Sequence, residues 1–137
     1  TANSAEAMQG AISMYEEIVA GGGWRKLPAK GKLEKAAKGL HVVALRERLV
    51  REGYLDIDAL SVAKPEVYDG QVIGAVRAFQ INHGIAPSGK VDNRTRQELD
   101  VAATHRLFQL QENQVRVTAY AENLGGRNIL VNIPSVQ

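Results

Sequence analysis

The sequence predicts an all-α fold, a compact three-helix bundle with additional helices at both ends of the chain. Apolar residues recur every three to four positions in five segments, as on one face of a helix. A glycine followed by a hydrophobic residue closes two of these segments, at Gly53 and Gly84. The 137 residues are 45% hydrophobic and 23% charged, which is ordinary for a folded domain with one core.

Residues 1–38 form the first segment, a scaffold helix followed by a basic linker. The helix has the apolar stripe Met8, Ile12, Tyr15 and Val19, and glycines 21–23 end it. Asn3 and Glu6 have the offset of a capping box. The linker contains Trp24, which we interpret as an anchor onto the core, and six cations: Arg25, Lys26, Lys30, Lys32, Lys35 and Lys38. A solvated linker is favoured, with an anionic polymer as the alternative partner.

Residues 39–103 contain the central bundle. Its second helix buries Val42, Leu45, Leu49 and Val50, and its third is capped by Asp69 and buries Val72, Val76 and Phe79. Asp92 or Asn93 caps a short fourth helix with Thr95 and Leu99. An inserted loop, residues 56–68, contains Pro65 and has no clear period. The pairs Gly53–Tyr54 and Gly84–Ile85 also suggest two equivalent helix-plus-turn units.

Residues 104–137 begin with a fifth helix, which should end at Leu124 and whose pattern is Leu107, Leu110, Gln114, Val117 and Tyr120 or Ala121. Whether it is separate from the fourth helix is open at this point. Ile129, Val131 and Ile133 then alternate as in a strand and stop at Pro134. Because a lone strand leaves its backbone unpaired, we expect an orphan strand whose sheet lies in residues absent from this chain.

Few residues suggest catalysis or cofactor binding. Without cysteine there is no disulfide, thiolate metal site or cysteine nucleophile. His41, His83 and His105 lack the spacing of a zinc site, so no metal or cofactor is expected. The carboxylates Asp56, Asp58, Glu66 and Asp69 cluster near the inserted loop, where helix capping is favoured over acid–base catalysis.

A long run of residues resembles the widespread peptidoglycan-binding domain. Its most specific parts are Ala75-Val76-Arg77-Ala78-Phe79-Gln80, His83-Gly84-Ile85, and Ser88-Gly89-Lys90-Val91 followed by Thr95. The resemblance implies a three-helix module that binds peptidoglycan without catalysis.

The flanking segments resemble the large Gram-negative L,D-transpeptidases. The residues concerned are Tyr15, Gly22, Gly23, Trp24, Leu27 and Pro28 on one side, and Gln111, Asn113, Arg116, Gly126, Arg127 and the segment 129–134 on the other. This similarity implies a truncated fragment of a periplasmic enzyme. Its catalytic domain, with the nucleophilic cysteine, would follow as the partner missing here.

Five residues are candidate ligand contacts near the second and third helices: Tyr54, Tyr68, Arg77, Gln80 and His83. Aromatic faces, guanidinium and amide groups suit sugar hydroxyls, amides and carboxylates. Packing roles remain open for each except Arg77, which lies outside the apolar stripe.

Other functions remain open. One is a scaffold or protein-interaction module that positions the catalytic domain without tight glycan binding. A nucleic-acid-binding helical domain ranks third, because the cations concentrate in the linker and not on one helix, and nucleic acid is not an expected partner. A hydrolytic enzyme would require turnover of muropeptides by this chain. No apolar run approaches the length of a membrane span.

Overall fold

The computed structural model describes the backbone of residues 2–127 and the side chains of residues 5–120. Five α-helices occur in this range: α1 Ala2–Ala20, α2 Leu40–Arg51, α3 Gly70–Asn82, α4 Asn93–Leu99 and α5 Ala103–Arg127. A 3₁₀ helix, Ile57–Leu60, lies in the inserted loop. Within the described backbone there is no strand, only an isolated bridge between Lys38 and Val67. The all-α prediction is confirmed, whereas the expected strand at residues 129–133 lies outside the described residues.

Two compact units divide the chain. The first comprises residues 1–21 and 103–137, and the second comprises residues 22–102. In the first unit α1 packs against α5, with Ile12, Ile18 and Ala103 buried and a hydrogen bond of 2.7 Å from Gln114 Nε2 to Gln9 Oε1. In the part of the chain that is described, no helix is both apolar and long enough to cross a membrane.

The second unit holds a single apolar core. The side chains predicted to face inward from α2 and α3 are buried, apart from the half-buried Val50. The core consists of Leu27, Leu33, Val42, Leu45, Leu49, Tyr68, Val72, Ala75, Val76, Phe79 and Leu99. Burial of such side chains stabilises a fold by about 1.5–3 kcal/mol each.

Glycines end α2 and α3 in the same way, as predicted. Gly53 and Gly84 have φ of 82° and 66°, a left-handed conformation that costs glycine little. The next residue then turns back: Tyr54 N donates to Leu49 O at 2.9 Å and Ile85 N donates to Gln80 O at 2.8 Å. The chain therefore turns back in the same way after the C-terminal ends of α2 and α3.

The structure revises the predicted start of the first helix and end of the fifth, and it decides whether the fourth and fifth helices are separate. α1 begins at Ala2, so Asn3 is inside the helix and the predicted capping box was wrong. α5 continues to Arg127, three residues beyond the predicted end, since glycine lowers helix propensity without forbidding a helix. The fourth and fifth helices are separate, because α4 ends at Leu99 and α5 begins at Ala103.

Residues 24–38, which we call the strap, are held against the core of the second unit although they form no helix. Trp24 Nε1 donates to Val101 O at 2.8 Å, which confirms the predicted anchor. Leu27 and Leu33 are buried, and the Leu27 amide donates to Asp100 Oδ1 at 2.8 Å. The predicted linker is therefore an ordered segment lying against the core.

Candidate functional site

Arg46 of α2 holds the inserted loop in place. Its side chain is fully buried and donates to the carbonyl oxygens of Pro65 at 2.8 Å, Ala59 at 3.2 Å and Val67 at 2.9 Å. A fourth contact, of 2.9 Å, joins Arg46 to the carboxylate of Asp69. One guanidinium thus satisfies three loop carbonyls, as its fixed fork of donors allows.

Asp69 joins this network to the start of α3. Its Oδ1 accepts the amides of Gln71 at 3.0 Å and Val72 at 3.2 Å, which confirms the predicted cap. Partial burial alone would raise the pKa of Asp69, but the hydrogen bonds from Arg46 and from the two amides outweigh it and lower that pKa. The carboxylate is therefore charged at neutral pH, and both of its oxygens are engaged in contacts within the fold.

Gln80 of α3 fixes the turn at residues 88–90. Its fully buried amide donates to Lys90 O at 2.9 Å and Thr95 Oγ1 at 3.1 Å, and its Oε1 accepts the Gly89 amide at 2.9 Å. The Tyr68 hydroxyl reaches the same turn and donates to Gly89 O at 2.6 Å. Burial, and secondarily the charge of Glu34, raise the pKa of Tyr68, so its phenol stays protonated and keeps this bond.

Aromatic side chains surround the C-terminal end of α3. His83 stacks on Phe79 with ring centroids 4.1 Å apart, and Tyr54 meets the same ring edge-on at 5.3 Å. Arg48 lies 5.9 Å from the Phe79 ring centre and 3.6 Å from that of Trp24. We call these five side chains the aromatic–arginine cluster; its members are Trp24, Arg48, Tyr54, Phe79 and His83.

The cluster has a buried base and partly exposed rings. Phe79 and Arg48 are buried, and Arg48 Nη1 donates to Glu52 Oε1 at 2.6 Å. Trp24, Tyr54 and His83 are half-buried. Rings held with part of their surface in solvent can pack against sugar faces, while their polar atoms bond hydroxyl and amide groups.

The five predicted contact residues fall into two groups. Tyr54 and His83 share contact with Phe79 and are partly accessible. Tyr68 and Gln80 are buried beneath the 88–90 turn, where they fix its backbone. Arg77 is exposed beside Gly89: a β-carbon placed on that glycine would lie 3.1 Å from Arg77 Nε.

The sequence did not identify three residues of the candidate site and its supporting network. Trp24 was interpreted only as an anchor, and the buried roles of Arg46 and Arg48 were not foreseen. The i, i+4 spacing of Arg48 and Glu52 was a usable signal, since such pairs meet on a helix. Arg46 gave none, because three of its acceptors come from the inserted loop and the fourth is the cap of α3, and the pattern of α2 specifies the position of neither.

The residues considered for catalysis or metal binding lie apart or are occupied. Asp56 caps the 3₁₀ helix and Asp69 caps α3. His41 Nε2 lies 2.8 Å from Lys32 O, while His83 Nδ1 lies 3.4 Å from Glu98 Oε1. Within the described ranges no three His, Asp or Glu side chains converge as metal ligands would.

Comparison with known protein families gives a match in the central part of the chain. Residues 38–99 match the model of the family described as "Putative peptidoglycan binding domain". No curated protein and no solved structure matches the chain. The matched residues include α2, the inserted loop, α3 and α4, whereas most of the strap, α1 and α5 lie outside them. The match covers fewer than half of the residues of the chain and supports a peptidoglycan-binding module at residues 38–99.

Proposed function

We propose that this protein uses the aromatic–arginine cluster to hold peptidoglycan. The match of residues 38–99 to a peptidoglycan-binding family carries the proposal. The partly exposed rings of Trp24, Tyr54 and His83 support the position of the site, because they offer flat apolar surface beside polar atoms. Tyr68 and Gln80 would act indirectly, by fixing the 88–90 turn beside Arg77, which we propose as a secondary contact.

We also propose that the module works beside a catalytic domain, as in the L,D-transpeptidases that its flanks resemble. The support is the similarity of the sequence around Trp24 and of the segment 129–134 to those enzymes. The module would then keep a periplasmic transpeptidase on its substrate. Sequencing of the coding region downstream of residue 137 tests this: a domain with a cysteine preceded by a nearby histidine is expected, and its absence would exclude that parent.

Sedimentation with purified peptidoglycan sacculi tests the binding function. The chain should pellet with sacculi well above a control protein of similar size and charge, and soluble muropeptides should not accumulate. Equal recovery of the chain and the control protein would refute the proposal. Release of muropeptides by the pure chain would instead favour the hydrolytic alternative.

Substitutions in the cluster test the position of the site. Tyr54→Leu and His83→Leu remove ring surface that would contact the ligand, and each should weaken retention about two- to tenfold, as loss of one aromatic contact does. Lys64→Gln is the control. Lys64 is exposed in the inserted loop and is separated in sequence from both Tyr54 and His83. Thermal unfolding of each variant distinguishes lost contacts from lost folding, and Tyr54→Phe, which keeps the ring, should retain most binding.

A scaffold function is a second candidate, favoured by an apolar stripe on α5. Phe108 and Val115 are 57% and 68% exposed and lie seven residues apart, hence on one side of the helix. Exposed apolar side chains in a row are typical of protein contacts. In that case the Phe108→Ser/Val115→Ser variant would lose a protein partner but keep its affinity for sacculi.

A further inference from the structure

The strap holds an excess of exposed positive charge. Its six cationic side chains are all exposed, and Glu34 is its only carboxylate. In the second unit, which is described throughout, none of these six side chains takes part in an ion pair or hydrogen bond. The remainder of residues 22–102 has eight cations and nine carboxylates, so the positive charge of this unit comes from the strap.

The backbone of the strap is fixed at several points. Leu33 is buried, and its carbonyl accepts the Val91 amide at 2.8 Å. The Ala36 amide donates to Tyr68 O at 3.1 Å, and the Lys32 carbonyl meets His41 Nε2 at 2.8 Å. A ligand that binds these cations would therefore not have to order the backbone that carries them, which reduces the entropy cost of binding.

Neighbouring segments bring further cations to the strap. The Arg96 guanidinium donates to Pro28 O at 2.7 Å. Lys90 is exposed and directly precedes Val91, whose amide bonds to the strap. The Arg96 guanidinium and the turn that carries Lys90 thus lie against the strap, where they add positive charge beside the carboxylate of Asp100.

We propose that the strap is an accessory anion-binding surface that contacts the carboxylates of peptidoglycan stem peptides. The inference rests on the proposed function and extends it beyond the matched domain, because Lys38 is the only strap residue inside residues 38–99. Stem peptides carry free carboxylates along a fixed polymer, so several exposed cations can be engaged together. Such contacts between solvated charges weaken as salt rises, since mobile ions screen them.

Charge reversal on the full chain tests the inference. Lys32→Glu/Lys35→Glu reverses two strap cations, and Lys64→Glu/Arg116→Glu is the matched control with two exposed cations outside the strap. The strap variant should bind sacculi about three- to tenfold more weakly at low salt, as expected for the loss of two exposed charge contacts. Binding of the wild-type chain should fall with added sodium chloride, whereas the strap variant should respond less.

Modified sacculi identify the anion. Amidation of the sacculus carboxylates should reduce wild-type binding to the level of the strap variant. Removal of phosphodiester-linked polymers with hydrofluoric acid should leave binding unchanged; a loss there would move the ligand from carboxylates to phosphates and overturn the inference. Titration with duplex DNA is a further test. If the strap substitutions weaken binding to DNA but not to sacculi, the inference is overturned in favour of nucleic acid.

The two levels of proposal fail separately. If the wild-type chain is not retained on sacculi at all, the proposed function is refuted and the inference falls with it. If the wild-type chain and both charge-reversal variants bind equally at every salt concentration, the strap has no role in binding while peptidoglycan recognition stands. Far-ultraviolet circular dichroism of both variants checks that the helices remain intact.

Discussion

Two arginines in equivalent positions have opposite environments. Arg46 and Arg77 each follow a core residue of a helix that ends in a glycine turn, but Arg46 is fully buried and Arg77 is exposed. The inserted loop after α2 provides carbonyl acceptors for the first, while the second lies beside the short turn at Gly89. Burial of a guanidinium is tolerated only where its donors are satisfied, so the loop and Arg46 depend on each other.

Arg46→Met should destabilise the protein by about 3 kcal/mol or more, because three carbonyls lose their donor and each buried, unsatisfied group costs about 1 kcal/mol or more. Urea unfolding at neutral pH measures this, and limited proteolysis should show faster cleavage within residues 56–68. Arg94→Met is the control: that residue is exposed on α4 and should change stability by less than about 0.5 kcal/mol. Equal stability of the two variants would contradict a structural role for Arg46.

Tyr68→Phe should lower stability at neutral pH by about 1–2 kcal/mol, since Gly89 O loses its buried donor. The raised pKa of Tyr68 in the folded state means that the unfolded chain loses this proton first as pH rises. The contribution of Tyr68 is therefore complete below about pH 10 and declines above it. Urea unfolding at pH 7 and near pH 11 should show the gap between wild type and variant narrowing, and a constant gap would argue against the assigned environment of the phenol.

Helix ends and buried stripes were the most predictable elements. Gly53, Gly84 and the caps Asp69 and Asp92 act through neighbours within a few residues, so their signals are present in the local sequence. The strap was not foreseen as an ordered element, because its bonds to Val91, Val101 and Asp100 join residues far apart in the chain. The two groups of candidate site residues are separated for the same reason: helical spacing gives the faces of α3, but only the fold shows that the turn at 88–90 covers one of them.

A pair of glycine substitutions compares the turn at residues 88–90 with the interior of α3. Gly89→Ala should destabilise the protein, because φ is +83° and the new β-carbon would lie 2.9 Å from Ile73 Cγ2. A β-carbon added at Gly74, in the interior of α3, would meet nothing within 4 Å beyond its chain neighbours and the backbone of its own helix, so Gly74→Ala should stabilise by about 0.5–1 kcal/mol. Thermal unfolding of the two variants measures both changes, and a shift of the same sign would contradict the assigned turn conformation.

At the level of the whole molecule, charge and apolar burial differ between the two units. Residues 22–102 contain 14 of the 17 Lys and Arg residues but 10 of the 15 Asp and Glu residues, which leaves a net charge of +4 there and −2 elsewhere. The core cluster, the aromatic–arginine cluster and the strap also belong entirely to this unit. Recognition of an anionic wall polymer is therefore expected to require residues 22–102 and not α1 or α5.

A fragment of residues 22–102 should consequently fold cooperatively and bind sacculi with an affinity within about twofold of the whole chain, the scale of a change below 0.5 kcal/mol. Urea unfolding can be followed by the fluorescence of Trp24, the only tryptophan, whose indole packs on Arg48 within this unit. Sacculus sedimentation of the fragment and the whole chain then compares binding directly. If the fragment unfolds cooperatively yet no longer binds, α1 or α5 must contact the wall, and the assignment of the site to the second unit would be wrong.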